Sequence, residues 1–362
     1  MILPGSNIGI IGSGQLGRMF IMAAAAMGYN VHVYSEDSID TSPASQVCCN
    51  VTIGKYDDVE KLLEFSKNVA VITIETENIP YIAIKELQET HNVNFCPNWQ
   101  ALYYSQNRIR EKDFLSSLDI KLAKSYPIYN LTDLQQAIQK LQLPVILKTA
   151  EMGYDGKGQF IIRDQNEINK IWHEANVNQH NNHFICEEMI NFDREISIIA
   201  GRNVNNEIIL YPITQNKHED GILQSSSVPT DTSAQLTKQV HDYADKIITK
   251  LDYIGIMAIE FFIDNDDNLY VNEIAPRPHN SGHWTMDGCL TSQFEQHVRA
   301  ICGLPFGDID ILGKKIIMKN IIGPEMENIS NYFNHSFAKI HLYGKDKIRP
   351  KRKMGHVNYV YS

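Results

Sequence analysis

Short apolar runs alternate with turn-forming clusters in the first hundred residues. The pattern predicts a strand at residues 7–11, a glycine-rich turn at 12–17, a helix at 15–27, a second strand at 31–34 and a further buried strand at 69–74. A strand, a helix and a second strand in this order are typical of a βαβ unit. The chain therefore begins with a predicted βαβ domain.

The apolar pattern continues after Pro97. It predicts a helix at residues 100–115, strands at 144–149, 159–163, 184–190, 194–200 and 207–212, a polar loop at 216–227, and helices at 233–250 and 292–301. Strands and helices interspersed in this way indicate the α/β class. The first helix carries Arg108, Arg110 and Lys112 and is interpreted as the connection between domains.

A β-hairpin is predicted where two apolar runs, residues 256–263 and 269–274, flank the turn-forming cluster Asn265-Asp266-Asp267-Asn268. A turn symmetric about Asp266-Asp267 pairs Glu260 with Glu273. Their Cβ atoms would then lie ~5 Å apart on one face, where like charges are destabilising. The alternative is that one glutamate points to solvent or that the register slips.

A facing pair of carboxylates in apolar strands indicates a cation between them. Asn272 adds an oxygen ligand, and a few hard oxygen ligands suit Mg²⁺ that is shared with a phosphate substrate. Glu260 and Glu273 are therefore predicted to be magnesium ligands.

Composition narrows the classes of function. The 362 residues suffice for two or three domains, and 43% hydrophobic with 21% charged residues is ordinary for a globular protein. A net charge of −10 argues against nucleic acid or an anionic membrane as the main partner. The sequence has no apolar run of about 18 residues, as a membrane span would need. Six cysteines without a CxxC motif predict a reducing, cytoplasmic location.

The glycine-rich turn Gly12-Ser13-Gly14-Gln15-Leu16-Gly17 matches G-x-G-x-x-G, and acidic Glu36 and Asp37 follow about twenty residues later. Glycines at these positions let backbone N–H groups approach an anion. Three interpretations remain open from the motif alone: NAD, another phosphate, or a purely structural turn.

A second glycine-rich segment, residues 151–159, joins two predicted strands and is preceded by Lys148. Its three glycines and Lys157 suit a loop that closes over phosphates, although an ordinary hairpin loop is the alternative. Glu187-Glu188-Met189-Ile190 ends the next strand, where a backbone edge could hold an adenine or simply face solvent.

Two polar segments follow the hairpin. Residues 276–283 concentrate Arg277, His279, Asn280, Ser281 and His283 beside the predicted metal, and two prolines stiffen the backbone there. Residues 343–357 form a basic tail in an acidic protein, interpreted either as a solvated tail or as a phosphomonoester site.

Taken in order, these motifs resemble the ATP-grasp superfamily. The strings GSGQLGRM, GYDGKGQ, NEIAPRPHNSGHWT and RKMGHV resemble the 5-(carboxyamino)imidazole ribonucleotide synthase family, over essentially the whole chain. The resemblance implies an α/β ATP-grasp fold with an α+β lid and a Rossmann-like βαβ domain at the N-terminus. We expect the N-terminal domain at residues 1–100, the linker helix and lid at 101–190, and the catalytic domain with its basic tail at 191–362.

The family resemblance implies an ATP-dependent, ADP-forming carbon–nitrogen ligase of purine biosynthesis. ATP, Mg²⁺, bicarbonate and 5-aminoimidazole ribonucleotide would give the N-carboxylated ribonucleotide, and the enzyme would be a homodimer. The residues that fall on the family's ATP-binding positions are Arg108, Lys148, Gly153, Tyr154, Asp155, Gly156, Lys157, Gly158, Gln159, Glu187, Glu188, Met189, Ile190, Glu195, His218, Asn272 and Glu273.

The resemblance also suggests catalytic and substrate-binding residues. Arg277, His279, Asn280 and His283 would act near bicarbonate and its phosphorylated form, while Tyr154 and Asp155 lie on the closing loop, where Asp155 could accept the amine proton. Lys345, Arg352 and Lys353 would bind the ribonucleotide phosphate with the backbone of Gly14, Gln15 and Leu16, and Glu75 and Glu77 would contact hydroxyls or the amine.

Three rival interpretations stay open. A sister ATP-grasp enzyme, such as a formate-dependent glycinamide ribonucleotide transformylase, would share the ATP site. An NAD-dependent oxidoreductase would explain the first glycine motif but not Glu260 and Glu273. The third alternative is a protein that binds the ligands but has no catalytic activity.

The sequence departs from the family in two places. Ser13 stands where related chains often have glycine, and the chain ends early after His356, which predicts a missing C-terminal helix.

Overall fold

The computed structural model describes residues 1–36, 42–151, 153, 158–177 and 183–362, and the following statements concern these residues. Their strands form three sheets, two of four strands and one of nine. The mixture of helices and sheets confirms the predicted fold class.

The N-terminal sheet is parallel, with the strand order β3-β2-β1-β4. Its elements are β1 (Asn7–Ile11), α1 (Gln15–Ala26), β2 (Asn30–Ser35), β3 (Asn50–Ile53), α2 (Val59–Ser66), β4 (Val71–Ile74) and α3 (Tyr81–Glu89). The predicted βαβ opening is confirmed. Because β1 and β4 are parallel neighbours, the glycine turn after β1 and the acidic residues after β4 meet at one edge of the sheet.

The single helix predicted at 100–115 is wrong in one respect. The segment forms α4 (Trp99–Ser105) and α5 (Arg108–Ser116). Asn107 breaks the helix because its side chain accepts hydrogen bonds from the backbone N–H groups of Ile109 and Arg110, as an N-cap does. Helix α5 is thereby reoriented, and it carries Arg108 and Lys112 towards the two neighbouring sheets.

The second sheet is antiparallel, with the order β5-β8-β6-β7. Its strands are β5 (Ser125–Ile128), β6 (Val145–Thr149), β7 (Gln159–Ile162) and β8 (Phe184–Glu188), and its helices are α6 (Leu131–Leu141) and α7 (Ile168–Val177). The helices cover one face, where Leu134, Ile138 and Phe184 form an apolar cluster. Glu187 of β8 pairs with Ile146, two residues before Lys148 on β6, so Lys148 and Glu187 lie on the same face of this sheet.

The nine-stranded sheet has the order β14-β13-β9-β11-β12-β15-β17-β16, with β10 paired to β9. Its elements are β9 (Phe192–Arg202), β10 (Ile208–Leu210), β11 (Thr214–Glu219), β12 (Ile222–Val228), α8 (Ala234–Lys250), β13 (Gly255–Asp264), β14 (Leu269–Ala275), α9 (Thr285–Gly288), α10 (Gln293–Cys302), β15 (Lys315–Ile322), α11 (Ser330–Phe333), β16 (Ala338–Leu342) and β17 (Lys353–Tyr361). Phe20 and Met19 of α1 share one apolar cluster with Phe294 and Val298 of α10, which joins this sheet to the N-terminal one.

The polar loop predicted at 216–227 is instead a hairpin, β11 and β12, inside the large sheet. Asn216 and Ser226 are buried and satisfy each other, since the Ser226 hydroxyl donates to the Asn216 side-chain oxygen at 2.8 Å. The Asn216 amide in turn donates to Ser197 at 2.9 Å. A polar sequence can occupy an inner strand when its side chains find such partners.

The basic tail is also more ordered than predicted. Residues 353–361 form the inner strand β17, between β15 and β16, so the solvated-tail alternative does not hold for them. The cations before it lie on the loop between β16 and β17. None of the helices in the described ranges has the length and apolarity that a bilayer crossing needs.

Candidate active site

The predicted pairing of Glu260 with Glu273 is confirmed. Near the turn, however, the register is offset by one residue from the symmetric hairpin, with Phe261 opposite Val271 and Ile263 opposite Leu269. A bulge between Glu260 and Phe261 absorbs the offset, and Asn272 is the extra residue. The glutamates are thus paired by a bulge as well as by the turn.

The bulge has a consequence for Asn272. In a regular strand, neighbouring side chains point to opposite faces, whereas a bulge locally redirects them. Asn272 and Glu273 are both partly buried. Without the bulge, the register near the turn would continue regularly and place Asn272, not Glu273, opposite Glu260.

The negative charge of Glu273 helps to raise the pKa of two neighbouring carboxyl groups. Burial and then Glu273 raise the pKa of Glu260 to about 7, and burial and Glu273 raise the pKa of Glu111 to about 8. Arg108 lies on the other side, with Nη1 at 3.3 Å from the Glu273 carboxylate. The carboxyl groups of Glu260, Glu273 and Glu111 therefore outnumber the Arg108 guanidinium group that lies beside them.

These donors fit a magnesium ion that phosphate oxygens help to hold. Within the described ranges, no group of three His, Cys, Asp or Glu side chains is arranged to hold a metal. Two facing carboxylates and the Asn272 amide are too few for a complete protein cage but suit Mg²⁺, which usually keeps water and substrate phosphates among its ligands. The pKa of Glu260 is raised because burial and Glu273 disfavour its charged form, and a nearby cation would stabilise that charged form.

The second sheet carries a buried charge cluster. Lys148 donates to the Glu187 carboxylate at 2.7 Å, and the Lys112 ammonium lies 3.2 Å from its other oxygen. Burial alone would raise the pKa of Glu187, but Lys148 and Lys112 lower it to about 2. Burial lowers the pKa of Lys148, partly offset by Glu187. The predicted positions Lys148 and Glu187 are therefore in contact.

Two further predicted ATP positions form a pair on β9 and β11. The His218 Nδ1 lies 2.6 Å from a carboxylate oxygen of Glu195. Burial lowers the pKa of His218, but the Glu195 hydrogen bond and the charges of Glu260 and Glu195 raise it overall. The carboxylates around His218 therefore favour its protonated form.

The loop after β14 is held by buried partners. Arg277 makes a two-pronged contact with Glu77, including Nη2 to Oε1 at 2.9 Å, so two predicted site residues pair across the domains. His279 contacts Ser281 through Nδ1 at 2.9 Å, and burial keeps its pKa well below the usual range. The imidazole is therefore neutral near pH 7, and it acts through hydrogen bonds rather than through charge.

The same loop is also held by side chains of β15 and α10. Asn280 and Asn320 exchange side-chain amide hydrogen bonds at 3.0 and 2.8 Å. His283 contacts Gln293 at 3.0 Å through Nδ1, and burial holds its pKa well below the usual range. Fixed rotamers of this kind are what a site needs in order to position a small anion.

The glycine turn is occupied by Glu75, which follows β4. The backbone N–H groups of Gly14 and Gly17 donate to its two carboxylate oxygens, the latter at 2.6 Å. A Cβ at Gly14 would lie 2.8 Å from this carboxylate, one at Gly17 would lie 3.2 Å away, and one at Gly12 would collide with the Glu75 side chain. The G-x-G-x-x-G glycines therefore make room for a side chain of the protein itself.

We predict that NADH does not bind at this turn. A dinucleotide pyrophosphate would meet the Glu75 carboxylate where the fingerprint normally offers free N–H groups. Calorimetric titration with NADH checks this, with ADP as the positive control. Micromolar NADH binding that ADP does not displace would contradict the prediction.

The loop between β16 and β17 carries cations, of which Lys345 is close enough to the glycine turn to influence Glu75. The Lys345 ammonium donates to the Lys353 carbonyl at 2.7 Å, and Arg352 donates to the Lys347 carbonyl at 2.8 Å. Gln46 reaches the Gly344 carbonyl at 2.7 Å. These contacts tie the basic loop to the N-terminal domain.

One cavity of about 920 Å³ brings most of these residues together. Its wall includes the predicted residues Gly14, Gln15, Leu16, Glu75, Glu77, Arg108, Gly153, Glu273, Arg277, His279, Asn280, His283, Lys345, Arg352 and Lys353. The other predicted residues that the structure describes lie on or next to strands of the second sheet, at the hairpin, or on β9 and β11. Tyr154, Asp155, Gly156 and Lys157 lie outside the described residues.

Sequence reasoning missed three buried residues that touch the site. Glu111 accepts a hydrogen bond from the Ile274 backbone at 2.7 Å, Lys112 approaches Glu187, and Asn320 holds Asn280. Arg108, Glu111 and Lys112 are spaced i, i+3 and i+4, which places them on one helix face. That spacing was a usable signal for Glu111 and Lys112, whereas nothing in the sequence marks Asn320.

Comparison with known proteins agrees with this geometry. The ATP-grasp domain matches residues 113–294, the ribonucleotide synthetase preATP-grasp domain matches 6–106, and the phosphoribosylaminoimidazole carboxylase C-terminal domain matches 317–362. The chain is therefore an ATP-grasp enzyme. Its motifs and its relatives identify the family within this superfamily.

The chain is 39% identical to the N5-carboxyaminoimidazole ribonucleotide synthase of Bacillus subtilis, over 99% of this chain and 93% of the relative. The Staphylococcus aureus synthetase complexed with ADP superposes with a TM-score of 0.93 at 35% identity, covering 100% and 94% of the two chains. The Aspergillus clavatus synthase with ADP and 5-aminoimidazole ribonucleotide gives 0.88 at 28%, covering 98% and 93%. The chain belongs to the N5-carboxyaminoimidazole ribonucleotide synthase family of ATP-dependent, ADP-forming ligases.

Proposed function

We propose that the chain carboxylates the amine of 5-aminoimidazole ribonucleotide at the expense of ATP, with bicarbonate as the source of carbon. The products are 5-(carboxyamino)imidazole ribonucleotide, ADP and phosphate. The reaction belongs to purine biosynthesis, and family membership supports it.

The proposed chemistry has two stages. A bicarbonate oxygen attacks the γ-phosphorus of ATP, the bond to the β-phosphate oxygen breaks, and carboxyphosphate and ADP form. Carboxyphosphate then releases phosphate and CO₂, and the amine lone pair forms the C–N bond as the amine loses a proton. Such phosphoryl transfer depends on positioning and charge neutralisation more than on covalent help from the protein.

The residues proposed for ATP lie between the second sheet and the hairpin. Lys148 and Arg108 would neutralise phosphate oxygens, and residues 187–190 would hold the adenine along the end of β8. Glu260, Glu273 and Asn272 would hold Mg²⁺, which would withdraw charge from the phosphate oxygens during transfer. Lys157 and the rest of the glycine loop remain predictions.

The loop at 276–283 is proposed to hold bicarbonate and carboxyphosphate. Arg277 supplies positive charge, the Asn280 amide supplies donors, and neutral His279 and His283 can each donate a hydrogen bond from the ring N–H. Because Glu77 already engages Arg277, the anion would share that guanidinium with Glu77. Asp155 stays the proposed acceptor of the amine proton.

The ribonucleotide phosphate is proposed to bind Lys345, Arg352 and Lys353. The Gly14 N–H is engaged by Glu75, which leaves the Gln15 and Leu16 backbone as the proposed contribution of the glycine turn. Glu75 and Glu77 would face the ribose hydroxyls or the amine.

The observation that carries the proposal is the shared cavity. Its wall joins Glu273, a Mg²⁺ and ATP position, with the 276–283 loop and the basic loop. An ATP terminus, bicarbonate and a phosphorylated amine could therefore react within one enclosure, which limits loss of CO₂ to solvent.

The predicted activity is tested with ¹³C-bicarbonate, ATP, MgCl₂ and 5-aminoimidazole ribonucleotide. We expect ADP formation that depends on the ribonucleotide, and a labelled carboxylate on its amine detected by NMR. Glycinamide ribonucleotide with formate serves as the comparison for the sister enzyme. ADP formation with that pair alone would overturn the proposal.

We also propose a cytoplasmic homodimer that binds neither nucleic acid nor membranes. The six cysteines are all free thiols, and the net charge of −10 disfavours anionic polymers. The dimer rests on the family resemblance alone.

A further inference from the structure

We propose that Lys112 is a positioning residue for ATP: its ammonium offsets the charge of Glu187, so that Lys148 keeps an uncancelled positive charge for the nucleotide phosphates. This inference rests on the proposed role of Lys148 at the ATP site. It assigns a function to a residue that lies on the interdomain helix α5 rather than on the lid.

The cluster is enclosed. Lys112, Lys148 and Glu187 are 7%, 5% and 3% exposed, so solvent screens their charges weakly. Two cations and one anion leave a surplus of one positive charge. Without Lys112, the pair of Lys148 and Glu187 is neutral as a unit and attracts a phosphate less strongly.

Lys148 and Lys112 contact Glu187 in different ways. Lys148 makes a hydrogen bond of 2.7 Å to one Glu187 oxygen, which fixes its direction. Lys112 lies 3.2 Å from the other oxygen, yet no described residue makes a well-aligned hydrogen bond to that atom. Lys112 therefore acts through its charge, and its removal would leave the directed bond of Lys148 in place.

Neighbouring charges do not replace Lys112. Arg108 is close enough to influence both Lys148 and Glu187, but its guanidinium faces Glu273 at 3.3 Å. Glu111 accepts a hydrogen bond from the Ile274 backbone N–H at 2.7 Å, so its carboxyl group is directed towards the hairpin rather than towards Lys148. The surplus charge beside Lys148 thus depends on Lys112.

The experiment compares ADP with adenosine, which lacks phosphates. For Lys112→Met, we expect the Kd for ADP in MgCl₂ buffer to rise about tenfold, the equivalent of one lost charge-assisted contact of about 1.4 kcal/mol. The Kd for adenosine, measured by displacement, should change by less than about twofold. Lys112→Arg, which keeps the charge, should restore ADP affinity.

The matched control is Lys170→Met, a lysine on α7 whose side chain is 77% exposed. It should leave both Kd values unchanged. If Lys112→Met does not fold by circular dichroism, Lys112→Gln carries the same comparison. Failure of both variants to fold would make Lys112 structural and overturn the inference.

The outcomes distinguish this inference from the proposed function. Equal loss of ADP and adenosine affinity, or no loss of either, overturns the role of Lys112 while the ATP site stands. If the wild-type protein binds neither compound, the proposed nucleotide site fails together with the inference.

Discussion

Glu273→Gln is expected to lower ATP-dependent turnover by about a thousandfold, because a metal ligand supplies several kcal/mol of charge stabilisation. The change keeps the size of the side chain but removes one of the two carboxylates that face each other across β13 and β14. It also removes the charge that would hold Mg²⁺ next to the ATP phosphates.

The same change should make the protein without ligands slightly more stable. Opposed carboxylates on paired strands cost about 0.2–1 kcal/mol, and the Arg108–Glu273 contact that is lost is partly solvated and weak. Removing the charge of Glu273 also lowers the pKa of Glu111, so the Glu111 carboxyl near Arg108 can ionise and take over as its partner. Activity and stability should therefore move in opposite directions.

The pH dependence gives a second signature. The folded pKa values of Glu260 and Glu111 are about 7 and about 8, above the ordinary value of 4.5. A carboxyl with a raised folded pKa binds its proton more tightly in the folded state, so its contribution is present at low pH and lost as pH rises. The contribution of these two carboxyls to the stability of the wild-type protein should fall between about pH 4.5 and 8, and it should fall less in Glu273→Gln, so the stability difference between the two proteins should widen as pH rises.

Urea unfolding at several pH values and a steady-state assay check both signatures. Leu269→Ala, in the same hairpin but 1% exposed within the apolar core, is the control and should lose about 2–5 kcal/mol of stability, and activity with it. A Glu273→Gln protein that unfolds more easily yet turns over normally would show that Glu273 is structural.

Replacing Arg352 and Lys353 together by Ala should raise the KM for the ribonucleotide by at least about a hundredfold, since each charge-assisted contact contributes about 1.5–3 kcal/mol. Both residues line the cavity whose wall also includes the glycine turn. The KM for ATP should change far less, because Arg108 and Lys148 are untouched.

Initial rates with each substrate varied in turn measure this difference. The matched control is the double replacement of Lys314 and Lys315 by Ala, two exposed cations next to the same sheet. It should alter neither KM. Equal increases in both KM values for the Arg352 and Lys353 variant would mean that the basic loop is structural.

Local patterns predicted the elements that depend on local physics. The strand–turn–helix opening, the helices predicted at 233–250 and 292–301 and the hairpin at Glu260 and Glu273 are visible in sequence because turn residues and apolar periodicity act over a few residues. The β11–β12 hairpin was missed because its polar residues look like a loop until Ser197 and Asn216 are seen to be partners.

By itself, the sequence determined the fold class, the family and the identity of most residues around the cavity, since motifs carry both local structure and chemistry. Tertiary structure decided which of them touch. Glu75 fills the glycine turn, Glu77 engages Arg277, Lys112 joins Glu187 and Lys148, and β17 becomes an inner strand. These contacts join residues far apart in the chain, and their energies depend on burial and charge, which exist only after the three sheets have packed.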